Sequence, residues 1–450
     1  MSAREEQPVQ QGENQEEDQD YLEEDDVEEV EEIEGQDEEV EMDSDDDREE
    51  GHGEGYGEGE GEQDDAMNLL DSGLDDSFST CSLHQAAVFT LQVHPIDSNL
   101  AVSGGEDDLA FIFRTDTGKE VKRLEGHSDS VTSSGWSFDG TMVATGGMDG
   151  RVIVWKVKGT QADWTEREWD LLHTLEGPDE VNWLDWHPKG NLLLAGGADG
   201  TVWLWNLPSG NALHVLSAHV ASVTAGRFTP DGKRILTASE DSTLILWDPR
   251  EGTPIHKLSP SDARFKLESG INCLAINPAS TVAILGGAEG GLRAVNLVSG
   301  TVLAQMTGHE EGASIEMVAF NEVPTTGGGA AVTVVVSVGT DGRVCTWEAS
   351  SFRLRSTGSH EDAVTSLSFS PHTHTFLTGS ADKTVKLWDY RTGTCVKTLL
   401  GNRDIVHAVS LSKDGKVVVS GSEDGSVRTF RPDEERHPEG GSSSATTMEE

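Results

Sequence analysis

A hydroxyl, an imidazole and a carboxylate recur together three times in this chain, each time followed by a tryptophan. The sets are His127, Thr145, Asp149 and Trp155; His219, Thr237, Asp241 and Trp247; and His360, Thr378, Asp382 and Trp388. Taken singly, each has the parts of a nucleophile, base and orienter for acyl transfer. Three sets at one phase argue against that reading, because one active site needs one set. Recurrence points to architecture, and substitution of Asp241 or Asp382 is expected to cost stability rather than activity. The other chemical candidates are weaker. His372 and His374 follow Ser370-Pro371 with no further metal ligand nearby. Gly327–Gly329 lacks the Lys and Ser/Thr of a phosphate loop. Cys81, Cys273, Cys345 and Cys395 show no CxxC spacing and read as buried, reduced thiols. No enzyme, cofactor or metal is expected.

The elements that position these residues are legible from the repeat. Gly126-His127, Val131, Thr145-Gly146-Gly147-Met148-Asp149-Gly150 and Val152-Ile153-Val154-Trp155 form one copy. Ser359-His360, Val364–Leu367, Thr378–Asp382 and Val385–Asp389 form another. The Trp position is filled in turn by Phe113, Trp155, Trp205, Trp247, Val295, Trp347, Trp388 and Phe430, at gaps of 42, 50, 42, 48, 52, 41 and 42 residues. Each gap suits four short strands with turns. A period of this length with Gly-His and Trp-Asp marks resembles the WD40 β-propeller family. The fold expected is therefore all-β: an eight-bladed propeller with a disordered acidic N-terminal tail. In that family the repeated hydroxyl, imidazole, carboxylate and Trp form a hydrogen-bond chain inside each blade. After Phe430 no strand signal remains, whereas Ser77–Cys81 precedes the first repeat. This segment is expected to supply the outer strand of the last blade and so remove the sheet break at the seam. The boundaries are a tail over 1–75, a propeller over 76–431 and a disordered end over 432–450. Blade 5 lacks Gly-His, has Glu289 in its turn and Val295 for Trp, and is expected to pack more loosely.

Charge is distributed unevenly. Residues 1–80 hold 35 acids and 2 bases, a net of −33 against −50 for the whole chain, leaving −17 for the remainder. So polar a segment buries too little apolar surface to offset its ordering entropy. Val27, Val30 and Ile33 have helix-face spacing, but like charges around them oppose a helix. Met67–Leu74 reads as linker, with a docking or export peptide as the rarer alternative. Neither a signal peptide nor a membrane span is evident, so a monomer in the cytoplasm, nucleus or cell periphery is expected.

In WD propellers the loops entering each innermost strand and the turns before each Asp reach the rim of the central channel. At those positions this chain offers Asp129, Asp179, Glu180, Glu268, Glu310, Glu311, Glu361, Asp362 and Asp404, and in the turns Glu106, Glu240 and Glu423. Arg403 is the clearest base among them. Solvated loops of an acidic protein are the plain alternative. Against it stands the ring, which gathers one sign of charge around one mouth and steers cations to it. Trp183 and Trp186 on the innermost strand of blade 3 add aromatic area near that mouth, or else pack in the core. Direct nucleic-acid binding is not expected without Lys/Arg patches. The natural partner is a Lys/Arg-rich protein segment.

A narrower resemblance rests on the acidic extension, Leu100–Asp108, Trp183–Pro188, Leu194–Gly200, Pro230–Arg234 and Gly252–His256. Together these resemble the angio-associated migratory cell protein family. Its fungal members are dedicated chaperones that hold a basic segment of a large-subunit ribosomal protein on an acidic propeller face. Its animal members are linked to cell migration and angiogenesis. The resemblance implies a ribosomal-protein chaperone, with a migration scaffold as the alternative.

Overall fold

Short Val-, Leu- and Ile-rich runs separated by Gly-Asp turns pair with their chain neighbours into hairpins. The computed structural model describes residues 74–159, 163–267, 269–323, 332–370 and 373–433. They form eight four-stranded antiparallel sheets, the blades. The innermost strands are Val88–Val93, Val131–Trp136, Val181–Trp186, Val223–Phe228, Ile271–Ile276, Ile315–Val323, Val364–Phe369 and Val406–Leu411. Seven blades use four consecutive strands. In the eighth, Ser79–Cys81 lies outside Val427–Phe430, with Ser79 opposite Thr429 and Cys81 opposite Val427. Phe78 N–H donates to Thr429 O at 2.7 Å and Asp76 N–H to Leu400 O at 2.8 Å, tying this segment to blades 8 and 7.

The ring also closes on its inner side. Thr90 and Ser134 hydroxyls meet at 2.9 Å between blades 1 and 2, and Leu184 N–H donates to Ser133 Oγ at 3.0 Å between blades 2 and 3. Leu411 N–H donates to Ser368 Oγ at 3.0 Å, and Val93 N–H to Ser410 Oγ at 3.0 Å, the last bond joining blade 1 to blade 8.

The core lies between blades, since no single sheet can cover its own faces. Leu100, Val102, Ile112 and Leu124 of blade 1 pack on Val131, Val143, Ile153 and Trp155 of blade 2. Second strands such as Leu100–Gly105 and Met142–Gly147 are buried throughout, so they read as unbroken small and apolar runs. Outermost strands such as Glu120–Leu124 are charged where they meet water, which blunts their free edges.

Blade 5 corrects an expectation: it is as fully paired as its neighbours. A longer entry loop places Phe265 and Leu267 in the core at 0% and 6% exposure. A Cβ on Gly147 would lie 2.7 Å from His127 Nδ1, and one on Gly287 would lie 2.9 Å from Leu267 Cδ2. Leu267 thus fills the space that histidine fills elsewhere, replacing a polar network with apolar contact. The expectations for the tail over 1–73, Gly327–Gly329, His372, Glu268 and the end over 434–450 lie outside the described residues.

Candidate functional site

The repeated polar sets are internal struts. His127 sits 3.0 Å from Asp149 through Nδ1 and 2.8 Å from Thr145 Oγ1 through Nε2. His360 meets Asp382 at 2.8 Å and Thr378 at 2.7 Å, and Trp388 Nε1–H donates to the same Thr378 hydroxyl at 2.8 Å. In blade 4, His219 reaches Thr237 at 2.7 Å and Thr243 at 2.9 Å, Thr243 donates to Asp241 at 2.6 Å, and Trp247 donates to Thr237 at 2.8 Å. Blades 1 and 6 repeat the pattern with serine, as His84–Ser103–Asp107 and His309–Ser337–Asp341. Blade 2 departs in one link: Trp155 packs beside Trp136 and Trp169 and makes no bond to Thr145.

Burial lowers the basicity of His127, His219 and His360, against the pull of their aspartates. Burial also works against the carboxylates, but imidazole, hydroxyl and backbone N–H donors outweigh it. Asp149, Asp241 and Asp382 are therefore held below the usual carboxylate range. Thr145, Thr237 and Thr378 are each 0% exposed, so no substrate can reach these hydroxyls.

The same aspartates shape the rim. Each accepts the N–H of the residue after the loop histidine: Ser128 to Asp149, Val220 to Asp241, Glu310 to Asp341 and Glu361 to Asp382, at 2.9–3.1 Å. The first residue of each Asp-bearing turn donates to the carbonyl just before the innermost strand. Glu106 donates to Ala87, Met148 to Ser130, Ala198 to Glu180, Glu240 to Ser222, Thr340 to Ser314, Ala381 to Ala363 and Glu423 to Ile405, at 2.9–3.2 Å. Loop and turn are therefore locked side by side at one end of the ring, which we call the top face.

The structure places Glu106, Asp129, Asp179, Glu180, Glu240, Glu361 and Asp362 on this face, all exposed. No ion pair to any of the seven occurs among the described residues. Others are engaged by the protein itself. Asp404 is half-buried with Lys383 Nζ at 3.9 Å, Glu310 pairs with Arg343 at 2.7 Å, and Glu423 is hydrogen-bonded by His407 Nε2. Nearby cations stand on the outer strands and reach inward to loop carbonyls: Arg343 to Gly308 at 3.1 Å, Lys257 to Ala218 at 2.8 Å and Lys386 to Ser359 at 3.0 Å. Glu289 in the blade 5 turn and Glu311 in the blade 6 entry loop are likewise exposed and without an ion pair among the described residues, so such carboxylates occur on blades 1 to 7. Trp183 and Trp186 belong to the packing between blades. Their indole N–H groups donate to Val223 O at 3.0 Å and Gly135 O at 2.9 Å. His374 Nδ1 is bound to Tyr390 Oη at 2.7 Å.

Sequence reading missed the channel wall. All eight innermost strands carry a register irregularity after their first residue. Such bulges re-aim a side chain, and the residues there are Phe89, Thr132, Asn182, Thr224, Asn272, Glu316, Thr365 and His407. Phe89, Thr365 and His407 of this set line a cavity of about 370 Å³ together with Gln92, Arg227, Met317 and Ser368. Asp185 accepts Phe228 N–H at 2.8 Å, and desolvation pushes its carboxyl up to about 6 against the opposing pull of Arg227. The signal was available, because these residues recur at one phase of the repeat.

Comparison with known proteins agrees with this geometry. The WD domain, G-beta repeat family matches residues 118–156, 169–206, 210–248, 352–389 and 393–431. The human angio-associated migratory cell protein is 32% identical over 373 residues, covering 80% of this chain and 82% of its own. The chain belongs to the angio-associated migratory cell protein family. A second relative in this family's range, an uncharacterised WD repeat-containing protein of Schizosaccharomyces pombe, is 35% identical over 377 residues, covering 82% of this chain and 89% of its own. Among solved structures, Chaetomium thermophilum Sqt1 bound to the N-terminus of the ribosomal protein L10 superposes with a TM-score of 0.72 at 26% identity. That match covers 80% of this chain and 100% of the other. The inner three strands of blades 1 and 6 and all four strands of blade 5 lie outside the matched residues, yet each blade is a complete four-stranded sheet, because stacking between neighbours stabilises every repeat.

Proposed function

We propose that this protein is a non-catalytic chaperone that holds a Lys/Arg-rich ribosomal-protein segment on its top face during large-subunit assembly. One observation carries the reading: the similar Sqt1 propeller has been crystallised with the N-terminus of ribosomal protein L10, and the acidic loops and turns of this chain, Glu106, Asp129, Asp179, Glu180, Glu240, Glu361 and Asp362 among them, support a cationic partner there, being exposed and without an ion pair among the described residues. Carboxylates facing one opening draw a cationic segment in, and pairing masks its charge from RNA and from aggregation. Exposed pairs are screened over about 8 Å at physiological ionic strength, so affinity should fall steeply with salt.

The test is binding of an L10 N-terminal peptide to the purified chain across a salt series. Combined reversal of Glu106, Glu180, Glu240 and Glu361 to Lys should abolish binding and leave the melting curve unchanged. Normal binding by that variant would refute the reading. The animal relatives' name points to a second reading, a scaffold in cell migration. Affinity capture of cytoskeletal regulators or receptors in place of one salt-labile ribosomal protein would favour it.

A further inference from the structure

The repeat provides an internal control for every rim position, because the same backbone site occurs once per blade. The residue after the loop histidine, or its counterpart, is Gln85, Ser128, Asp179, Glu310, Glu361 and Arg403 in blades 1, 2, 3, 6, 7 and 8. In blade 4 it is Val220, which is 88% exposed although its N–H is pinned to Asp241 Oδ2 at 2.9 Å. The first residue of the Asp-bearing turn, or of its Glu289-bearing counterpart in blade 5, is Glu106, Ala198, Glu240, Ala288, Thr340, Ala381 or Glu423 in seven blades and Met148 in blade 2. Met148 is 44% exposed with its N–H held by Ser130 O at 2.9 Å. Other blades build the same turns with polar or small residues, so the fold requires neither apolar side chain. Both stand on rigid backbone and both face water.

The two sites are joined by one continuous stretch of rim. A Cβ on Gly150, in the turn of Met148, would lie 2.7 Å from the carbonyl oxygens of Pro178 and Asp179. Ala198 N–H bonds the carbonyl of Glu180 at 3.2 Å. A Cβ on Gly200, in that same turn, would lie 3.0 Å from Ala221 O, beside Val220. Along this arc the exposed carboxylates of Asp179 and Glu180 stand between Met148 and Val220, with Asp129 and Glu240 flanking.

We propose that this arc is the specificity element of the client site: it takes a segment whose Lys and Arg side chains are interspersed with aliphatic ones. Met148 and Val220 each cover an aliphatic side chain while the carboxylates between them take the cations. This rests on the function proposed above and narrows the partner's chemistry. Charge alone would draw in any polycation, whereas an added demand for aliphatic contact discriminates one basic protein from another. An unbranched thioether adapts to the shape it meets, and a pinned backbone lowers the ordering cost of binding. The two contributions separate experimentally, because salt screens charge pairs but not apolar contact.

The experiment uses the full chain and two synthetic peptides of equal length and equal Lys/Arg number. One has Leu and Val between the cations and the other has Ser and Gly. The aliphatic peptide should bind about tenfold more tightly, the worth of burying one such side chain. That advantage should persist at every salt concentration. It should vanish in the combined Met148→Ser, Val220→Thr variant, whose melting curve should match wild type because neither side chain packs inside. Equal binding of both peptides by wild type, or an advantage that survives in the variant, overturns the inference while leaving the acidic-rim reading intact. If neither peptide binds wild type, or if the fourfold Glu→Lys variant binds both normally, the acidic-rim reading fails and this inference falls with it.

Discussion

Replacing Asp185 with Asn should stabilise the propeller at neutral pH. Asp185 lies on the innermost strand of blade 3 and accepts Phe228 N–H at 2.8 Å, a bond an amide oxygen can also accept. Desolvation raises its carboxyl from 3.8 to about 6, against the opposing effects of Arg227 and the Phe228 N–H. A folded value above the unfolded one means that its contribution to stability is complete below about pH 3.8 and is lost as pH rises through about 6. At pH 7.5 the full interval corresponds to about 3 kcal/mol of cost. Asp185 as a residue is only half-buried, and solvent screening of its charge discounts that figure, so the gain on substitution should be about 1 to 3 kcal/mol. The assay is urea denaturation of wild type and Asp185→Asn at pH 7.5 and pH 5. The gain should fall to about half at the lower pH, where the wild-type carboxyl is largely protonated. Arg227→Met should enlarge the gain by removing the cation that offsets the buried charge. A variant that is less stable at both pH values, or equally stabilised at both, would refute the reasoning.

Other expectations follow from the same structure. Asp382→Asn should cost about 1 to 3 kcal/mol at pH 7 by leaving His360 and the Glu361 N–H under-partnered, and an unchanged urea midpoint would contradict it. Removing residues 74–83 should lower the thermal midpoint by several degrees and promote self-association, because the edge of Val427–Phe430 loses Ser79–Cys81; light scattering and calorimetry would read this. Stability should fall as pH drops from about 6.5 toward 4. Burial pushes His94 down to about 4 and lowers His127, His219 and His360, so unfolding takes up protons there. His94 alone should contribute about 3 kcal/mol to that loss, about offsetting the opposite trend from Asp185, so His127, His219 and His360 set the sign of the sum, and a midpoint that rises on acidification would refute the assignment.

Some features were readable before any coordinates because one repeat states them many times. The strands, the eightfold count and the structural role of His127, His219 and His360 all follow from residues recurring in phase. Blade 5 defeated that reading. Its marks are missing, and only the packed ring shows Phe265 and Leu267 taking their place. The rim was half legible. Glu106, Asp129, Asp179, Glu180, Glu240, Glu361 and Asp362 could be placed at one mouth by counting from the strands. That Asp404 faces Lys383 and Glu423 meets His407 could not, because each pair joins residues 16 or more apart in sequence.

Sequence alone determined the architecture and the sign of the charge at the mouth, since short-range pattern and composition specify strands, turns and acids. Tertiary structure decided which carboxylates are ion-paired, that Trp183 and Trp186 pack between blades, and that Phe89, Arg227 and His407 line one cavity. Those outcomes depend on which side chains from different blades come within hydrogen-bonding or ion-pairing reach. Ring closure sets those distances, and no local stretch of chain encodes them.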